Sequence, residues 1–519
     1  MLKDEIAKGT DLYKLIDLGL AHFIIVSIEL DPLKQGENPQ EIFESMNSIG
    51  KPLSLADLVR NYVLLGLLPK KQDEYYKRYW LYIEQRLPGS VSDFIRDYMQ
   101  AYSQKSYAKA TDKNYKLLYA EFKSLFSETL DSEGNTVPYD VKALFEDLDK
   151  YSKIYQFIIS DYSSGNSRID GILRDLRILK VTTSYSFLMT LLSHWKDGKF
   201  TDDETISMLE AFFTYCLRRR ITGETNAENK NMPTLSRKIE LLVNSSDKKT
   251  KMFDILSDME KNCRLPNDIE LTQRLREMNF FNFSYCKFIL ALIEEELTKS
   301  RPNMDEKNLQ TEHILPQKIK GTAWEEELGP NAEELHSMYV NRIGNLTLIR
   351  HNQELGNKLF IDKKCIYNNN AGMQIVKTMI TDKSTWGVRE IEDRGDWLIN
   401  ELLTKVIPIP ENRRKTNNFA EEKKSSRAFS FSKIGIIGEV ISFISDPTIT
   451  ARVVNDKEIE LEGKRYKLSP ATAYIMEKKG TKVWKAYQGS NHWQYEGIKL
   501  LDLMNEKIEK EQEEENDNE

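Results

Sequence analysis

Apolar and aromatic side chains recur at helical spacing through a long central stretch of this chain. From about residue 70 to 300, Tyr, Phe, Leu and Ile stand at i, i+3 and i+4, the period of one face of an α-helix. The clearest runs are YYKRYWLYIEQRL, VSDFIRDYMQAYS, YKLLYAEFKSLF, ISMLEAFFTYCLRRR and YCKFILALIEEELTKS. The pattern predicts a multi-helix domain over 71–300, with its aromatic residues in the core rather than in a cofactor pocket.

The flanking segments have a different character. Residues 23–30, FIIVSIEL, favour a strand, and Ser54 with Asp57 three residues later favours the start of a helix. The stretch after 409 has almost no apolar side chains and favours a linker, whereas alternation returns after 431 and favours a small α+β domain. The predicted class is mainly α and multidomain, with segments 1–70, 71–300, 301–408, 409–430, 431–505 and an acidic solvated tail, 506–519.

Cysteine usage and charge exclude several classes of protein. The 519 residues contain four cysteines, at 216, 263, 286 and 365, and no two have the CxxC spacing of a zinc site. This usage favours a reducing compartment; because no apolar leader or spanning run is present, we expect a cytoplasmic protein without a membrane partner. The net charge of −7 does not exclude nucleic acid, since the tail, with eight acidic residues and two lysines, contributes −6 of it.

One histidine stands out by its neighbours. His313 follows Glu312 in the strand-like segment TEHILPQ, and Asn345, Asn352 and Asn357 come 32 to 44 residues later. Carboxylate and amide oxygens suit a hard cation such as Mg²⁺, and an imidazole can take a proton from an attacking water near neutral pH. This combination is typical of metal-assisted phosphodiester hydrolysis. The alternative is structural, because a His beside a Glu in a strand is often a packing residue and Asn after Gly is common in turns.

The order TEHILPQ, VNRIGNLTLI and NKLFIDKK resembles the HNH, or ββα-metal, nuclease domain at the C-terminal end of GmrSD-type modification-dependent restriction endonucleases. The resemblance covers roughly residues 286–405. It implies that His313 is the general base that activates water. It also implies Mg²⁺ or Mn²⁺ as cofactor, held by Glu312 and by Asn352 or Asn357, with Glu312 replacing the aspartate of many HNH enzymes.

The same resemblance assigns three further residues. Asn345 would orient the hairpin or the imidazole, and so it joins His313 and Lys358 in the implied catalytic group. Lys358 and Lys364 would contact the DNA phosphates near the scissile bond. The alternative for both lysines is that they are solvated residues on the surface of a helix.

The N-terminal segment IFESMNSIGKPLSLADLVRNYVL resembles the end of the ParB-like nucleotide-hydrolysing domain of the same family. The DGQQR-like motif that precedes this point in the family is absent from the chain. The resemblance therefore implies that residues 1–70 are a remnant and that the chain begins inside that domain. GTP or ATP dependence is then not expected of this chain, and a separate nucleotidase subunit is a candidate partner.

The C-terminal segment resembles the RAMA-like modules that accompany restriction and methylase proteins, through ITARVV, GKRYKLS, SPATA and the closing aromatic residues. Such modules are thought to read modified DNA. The resemblance implies phosphate contacts from Arg452, Lys464 and Arg465, and base stacking by Trp484 and Trp493. The alternative is that the aromatic residues form the core of a small domain.

These observations predict a metal-dependent HNH DNA endonuclease of a modification-dependent restriction or phage-defence system, acting on DNA with modified bases. A homo-oligomer is compatible with this prediction. The alternative function is a non-cleaving DNA-binding or regulatory subunit that partners a separate nucleotidase. Integrity of the motif around Glu312 and His313 favours the nuclease.

Overall fold

The fold is given by a computed structural model. It describes residues 53–65, 67–103, 114–130, 136–223, 235–259, 263–329, 332–350, 355–369, 373–414, 429–478, 489–500 and 502–504, with isolated positions elsewhere. The predicted strand 23–30 and the acidic tail lie outside these residues. The chain divides into two units, Met1–Lys415 and Thr416–Glu519, and each is described by itself.

The first unit is built almost entirely of helices in its described part, which confirms the predicted mainly α class. Its helices are α1 (Leu55–Leu65), α2 (Pro69–Tyr75), α3 (Leu81–Arg86), α4 (Val91–Ser103), α5 (Tyr115–Leu125), α6 (Val141–Ile159), α7 (Ser167–Ile178), α8 (Tyr185–Lys196), α9 (Asp202–Thr222), α10 (Ile239–Val243), α11 (Lys248–Ser257), α12 (Asp268–Glu277), α13 (Cys286–Thr298), α14 (Ala323–Leu328), α15 (Ala332–Tyr339), α16 (Phe360–Asn369), α17 (Val388–Glu401) and α18 (Glu411–Arg414). Its strands are β1 (Glu128–Leu130), β2 (Thr136–Pro138), β3 (Leu309–His313) and β4 (Leu346–Arg350).

Capping residues set the ends of several helices. Ser54 and Asp57 exchange hydrogen bonds at the start of α1, as the sequence predicts. Thr201 and Glu204 form a full capping box at the start of α9, and Gly223, at φ 78°, ends the same helix in the left-handed conformation. The helix boundaries therefore follow from local side-chain chemistry as well as from apolar periodicity.

One apolar core runs through the first unit, from Leu55 to Ile409. The buried guanidinium of Arg218, on α9, donates to the backbone oxygens of Pro266 and Ile407 and so joins segments far apart in sequence. The core consequently does not divide at the predicted boundary near residue 300. The helical segment and the segment with the histidine motif form one unit.

The predicted linker starts later than expected from composition. Residues 411–414 form α18, and Arg413 on this helix makes an ion pair with Asp254, at 3.0 Å, on α11. The division between the two units falls after Lys415, within the predicted linker 409–430. The first residues of that segment therefore belong to the helical unit, because their arginines find acidic partners there.

The hairpin of β3 and β4 is held against α17 by a buried arginine. The strands pair antiparallel, with Leu309 opposite Arg350 and His313 opposite Leu346. Arg394, on α17, is fully buried and donates to the backbone oxygens of Gly344, Leu346 and Ile375. Burial lowers the pKa of Arg394 to about 9. The guanidinium thus crosslinks the turn before β4, the strand itself and a neighbouring loop.

The second unit is a six-stranded antiparallel sheet with one helix, which agrees with the predicted α+β domain in its described part. Its strands are β5 (Val440–Phe443), β6 (Asp446–Val453), β7 (Glu458–Leu461), β8 (Lys464–Lys467), β9 (Trp493–Tyr495) and β10 (Ile498–Lys499), in the order β10-β9-β5-β6-β7-β8, and its helix is α19 (Leu468–Lys478). The predicted turn at Glu462 and Gly463 joins β7 to β8, and both residues have positive φ, as tight hairpin turns require. No helix in the described part of the chain is long and apolar enough to span a bilayer.

Gly344 provides a test of the close approach between the β4 turn and α17. A Cβ atom at Gly344 would lie 1.9 Å from the carbonyl oxygen of Ile391, which is helix backbone and cannot easily yield. We expect Gly344→Ala to lower the free energy of unfolding by about 1–3 kcal/mol or more, the usual cost of overpacking. The matched control is Gly395→Ala, whose Cβ would meet its nearest atom at 3.7 Å. Urea unfolding should show the control unchanged or stabilised; equal stability of both variants would contradict this packing.

Candidate functional site

Adjacent residues at the end of β3 send their side chains in different directions. Glu312 and His313 are the last two residues of this strand, and successive strand side chains point to opposite faces of a sheet. Glu312 contacts α16, whereas His313 contacts Asn341 and Phe281. Both side chains are almost fully buried, with 5% and 7% of their surfaces exposed. The strand end therefore separates the carboxylate and the imidazole into two local environments.

A buried lysine neutralises Glu312. Lys363 Nζ, on α16, lies 2.7 Å from Glu312 Oε1 and 2.7 Å from the backbone oxygen of His313. The Tyr367 hydroxyl, one turn further along α16, donates to the same Oε1 at 3.3 Å. Burial lowers the pKa of Lys363 and raises that of Tyr367. The result is a buried ion pair that fixes α16 to the strand that carries His313.

The imidazole of His313 is enclosed by a polar and an aromatic neighbour. Its Nε2 lies 3.1 Å from Asn341 Oδ1, and its ring centroid lies 4.4 Å from that of Phe281. Burial lowers the pKa of His313, the hydrogen bond to Asn341 raises it, and the ammonium of Lys363 lowers it again; the net direction is down. The lowered pKa favours the neutral imidazole, which can accept a proton.

Glu312 and His313 share a surface cleft of about 420 Å³. Gln310, Gln317 and Asn357 also line it, and all three are exposed. The cleft supplies carboxylate and amide oxygens, which suit a hard cation that keeps several waters. In the described part of the chain, however, no three His, Cys, Asp or Glu side chains form a cluster that could hold a metal ion. The carboxylate of Glu312 and the amide oxygen of Asn357 are ligand types that suit Mg²⁺ or Mn²⁺. The ammonium of Lys363 beside Glu312 would weaken the binding of such a cation.

Asn345 has a structural position rather than a catalytic one. It is fully buried, and its amide oxygen accepts from Leu315 N and Trp386 Nε1, while its amide nitrogen donates to the oxygens of Leu315 and Val340. These four hydrogen bonds occupy both groups of the amide. The assignment of Asn345 as catalytic is therefore corrected; its contacts hold the loop that leaves His313, which corresponds to the orienting role.

The other predicted residues of this region are dispersed. Asn357 lies at the cleft, Lys358 is exposed beside it, and Asn352 lies outside the described residues. Lys364 donates to the backbone oxygen of Lys383 at 2.7 Å and does not line the cleft. Of the two neighbouring lysines, the structure brings Lys363 to Glu312, because the next helix position is rotated by about 100°.

Of the residues of the second unit that were predicted to contact DNA, the cationic ones are exposed and one tryptophan is buried in the core. Arg452, Lys464 and Arg465 are exposed, but Glu460 on β7 stands opposite both arginines in the sheet register. Trp493 is fully buried, and its indole N–H donates to Thr472 Oγ1 at 3.1 Å. The prediction that Trp493 stacks on a base is therefore wrong, because its ring fills the core. Trp484 lies outside the described residues.

Sequence reasoning missed the residues that contact the two motif side chains directly. Asn341 stands four residues before Asn345 in the same VNRIGN string. Lys363 lies on the same buried face of α16 as Phe360 and Tyr367. The i, i+3 and i+7 spacing of these three residues could have predicted that Lys363 lies on the face of α16 that contacts the strand. No comparable signal identifies Asn341, because its partner lies 28 residues away in sequence.

One segment of the chain, which includes the cleft, is similar to a domain of restriction endonucleases. Residues 266–401 match the family model for the C-terminal domain of GmrSD restriction endonucleases. The match confirms, for these residues, the resemblance inferred from TEHILPQ and GNLTLIR. The match spans roughly a quarter of the chain and includes the whole cleft around His313. No curated protein matches the chain.

The buried ion pair can be tested by removing one charge. Lys363→Met removes the ammonium beside the buried Glu312 carboxylate, and we expect the free energy of unfolding to fall by about 3–5 kcal/mol. Adding Glu312→Leu to Lys363→Met should recover much of this loss, since the carboxylate that lost its ammonium partner is then also gone. Urea unfolding measures both, with Lys364→Met as the control on the same helix. A loss no larger for Lys363→Met than for Lys364→Met would contradict the pairing.

Proposed function

We propose that this protein is an HNH-type DNA endonuclease of a modification-dependent restriction or phage-defence system. The observation that carries the proposal is the buried imidazole of His313, which lines a cleft at the end of the hairpin of β3 and β4, where Lys363 of α16 bonds to the backbone oxygen of the same residue. The match to a restriction endonuclease family supports DNA as the substrate. RAMA-like reading of modified bases by the second unit remains part of the proposal.

In the proposed reaction, a phosphodiester of DNA lies in the cleft and a water molecule attacks its phosphorus atom. His313 takes the proton from this water as the new P–O bond forms and the bond to the leaving sugar oxygen breaks. Lys318 lines the same cleft and supplies an exposed cation for the phosphate. A Mg²⁺ or Mn²⁺ ion, held by Glu312 and Asn357, would stabilise the charge that develops on the phosphate and the leaving oxygen.

The central experiment is cleavage of DNA with and without modified bases, in the presence of Mg²⁺ or Mn²⁺. We expect His313→Ala to lower the cleavage rate at least about 100-fold, since a positioned base contributes roughly 10²–10⁴. The matched control is His194→Ala, on α8 in the helical region, whose Nδ1 bonds to the oxygen of Thr190. Circular dichroism should show that both variants remain folded, and their affinity for DNA should stay near wild type.

The outcomes separate the two functions. If His313→Ala cuts as fast as wild type, the assigned site is wrong. If the wild-type protein binds DNA but never cuts it under any of these conditions, the alternative of a non-cleaving DNA-binding or regulatory subunit replaces the nuclease.

The pH dependence of cleavage should report the lowered pKa of His313. Its base function requires the neutral imidazole, and burial lowers its pKa from the usual value of about 6.5. Activity is therefore expected to be complete above that pH and to fall only as the pH drops through the lower folded value. The pH profile of kcat/KM, which reports the free enzyme, measures this limb. A midpoint above 6.5 would show that the base is not a buried neutral imidazole.

A further inference from the structure

Two side chains fix the ring of His313, and both reach it from outside its own strand. Asn341 Oδ1 lies 3.1 Å from Nε2, and the ring of Phe281 lies against the imidazole at 4.4 Å with an interplanar angle of 58°. Phe281 also lines the cleft and keeps 36% of its surface exposed. The imidazole is thus held at one nitrogen and on one side of its ring.

The two neighbours are themselves connected. The backbone N–H of Phe280 donates to the backbone oxygen of Asn341 at 2.8 Å. Asn345 then holds the same segment, since its amide nitrogen donates to the oxygen of Val340 at 2.8 Å. A chain of hydrogen bonds therefore joins the residues on either side of the imidazole to the buried Asn345. Asn341 has little freedom to move away from His313.

An amide oxygen can only accept a hydrogen bond, so Nε2 of a neutral His313 must carry the proton that Asn341 receives. The other ring nitrogen, Nδ1, then has a free lone pair. Within the described part of the chain, Nδ1 has no hydrogen-bond partner comparable to that of Nε2. The arrangement selects one tautomer of the imidazole and leaves Nδ1 as its basic atom.

We propose that Asn341 is a positioning residue, which fixes the tautomer and orientation of His313 so that Nδ1 takes the proton from water. Phe281 assists by covering the ring and limiting its rotation. This proposal rests on the proposed nuclease function for its kinetic consequence. The tautomer itself can be measured without any cleavage.

The first readout is nuclear magnetic resonance of the imidazole nitrogens in the full-length protein. The chain has only six histidines, so selective ¹⁵N labelling of their rings gives few signals, and His313→Gln identifies the one from His313. We expect an unprotonated Nδ1 and a protonated Nε2 in wild type and in Asn341→Asp, which keeps the accepting oxygen. In Asn341→Leu, both nitrogen shifts should move toward the values of exchanging tautomers.

The second readout separates positioning from folding and from DNA binding. We expect Asn341→Leu to lower kcat about 10- to 100-fold, part of the roughly 10²–10⁴ that a positioned base provides, with the Kd for DNA changed less than about twofold. Asn341→Asp should restore most of kcat. The matched control is Asn244→Leu, at the end of α10, whose amide bonds only to the oxygen of Glu240 among the contacts described.

The outcomes distinguish this proposal from the proposed function. A wild-type His313 protonated at Nδ1, or Asn341→Leu with wild-type nitrogen shifts and wild-type kcat, would overturn the role of Asn341 even if the protein cuts DNA. If the wild-type protein does not cut, the nuclease proposal fails, while the nitrogen shifts still decide whether Asn341 selects the tautomer. An unfolded Asn341→Leu leaves the wild-type spectrum and the Asn341→Asp rate as the deciding measurements.

Discussion

The arrangement of the site depends on one buried cation, the ammonium of Lys363. It binds the carboxylate of Glu312 and the backbone oxygen of His313, each at 2.7 Å, and only 1% of the lysine surface is exposed. Removing only one charge of a buried ion pair is costly, so Lys363 and Glu312 together stabilise the packing of α16 on β3. The bond to the oxygen of His313 is important because it fixes the backbone of the residue that carries the imidazole.

Because Lys363 pairs with Glu312, the two residues of the motif have different roles. Glu312 faces α16 and is already neutralised, whereas His313 faces Asn341 and Phe281 and keeps Nδ1 free of described partners. The carboxylate therefore contributes first to the structure and its local charge, and the imidazole is the group suited to proton transfer. A divalent cation at Glu312 would experience repulsion from Lys363, so its binding depends on oxygen ligands beyond this carboxylate and on the DNA phosphate.

The helices, the hairpin and the importance of His313 could be predicted from the sequence, because they depend on local periodicity and on a contiguous motif. The contacts that decide each residue's role could not. Lys363 and Lys364 are chemically identical in the sequence, and only the packing of α16 shows which one meets Glu312. Asn345 has an amide of the kind that can bind a metal or a substrate, but this amide makes four hydrogen bonds to backbone groups and to Trp386. The sequence suggests that Trp493 stacks on a base, but in the fold its side chain is fully buried.

The central claim is that water, activated at His313, hydrolyses a phosphodiester bond of DNA. Cleavage in H₂¹⁸O followed by mass spectrometry of the fragments tests it most directly. We expect one ¹⁸O atom in the terminal phosphate of each strand cut by wild type or His194→Ala, and we expect His313→Ala to form this labelled product at least about 100-fold more slowly. Fragments without the label, or labelled fragments formed at the wild-type rate by His313→Ala, would contradict it.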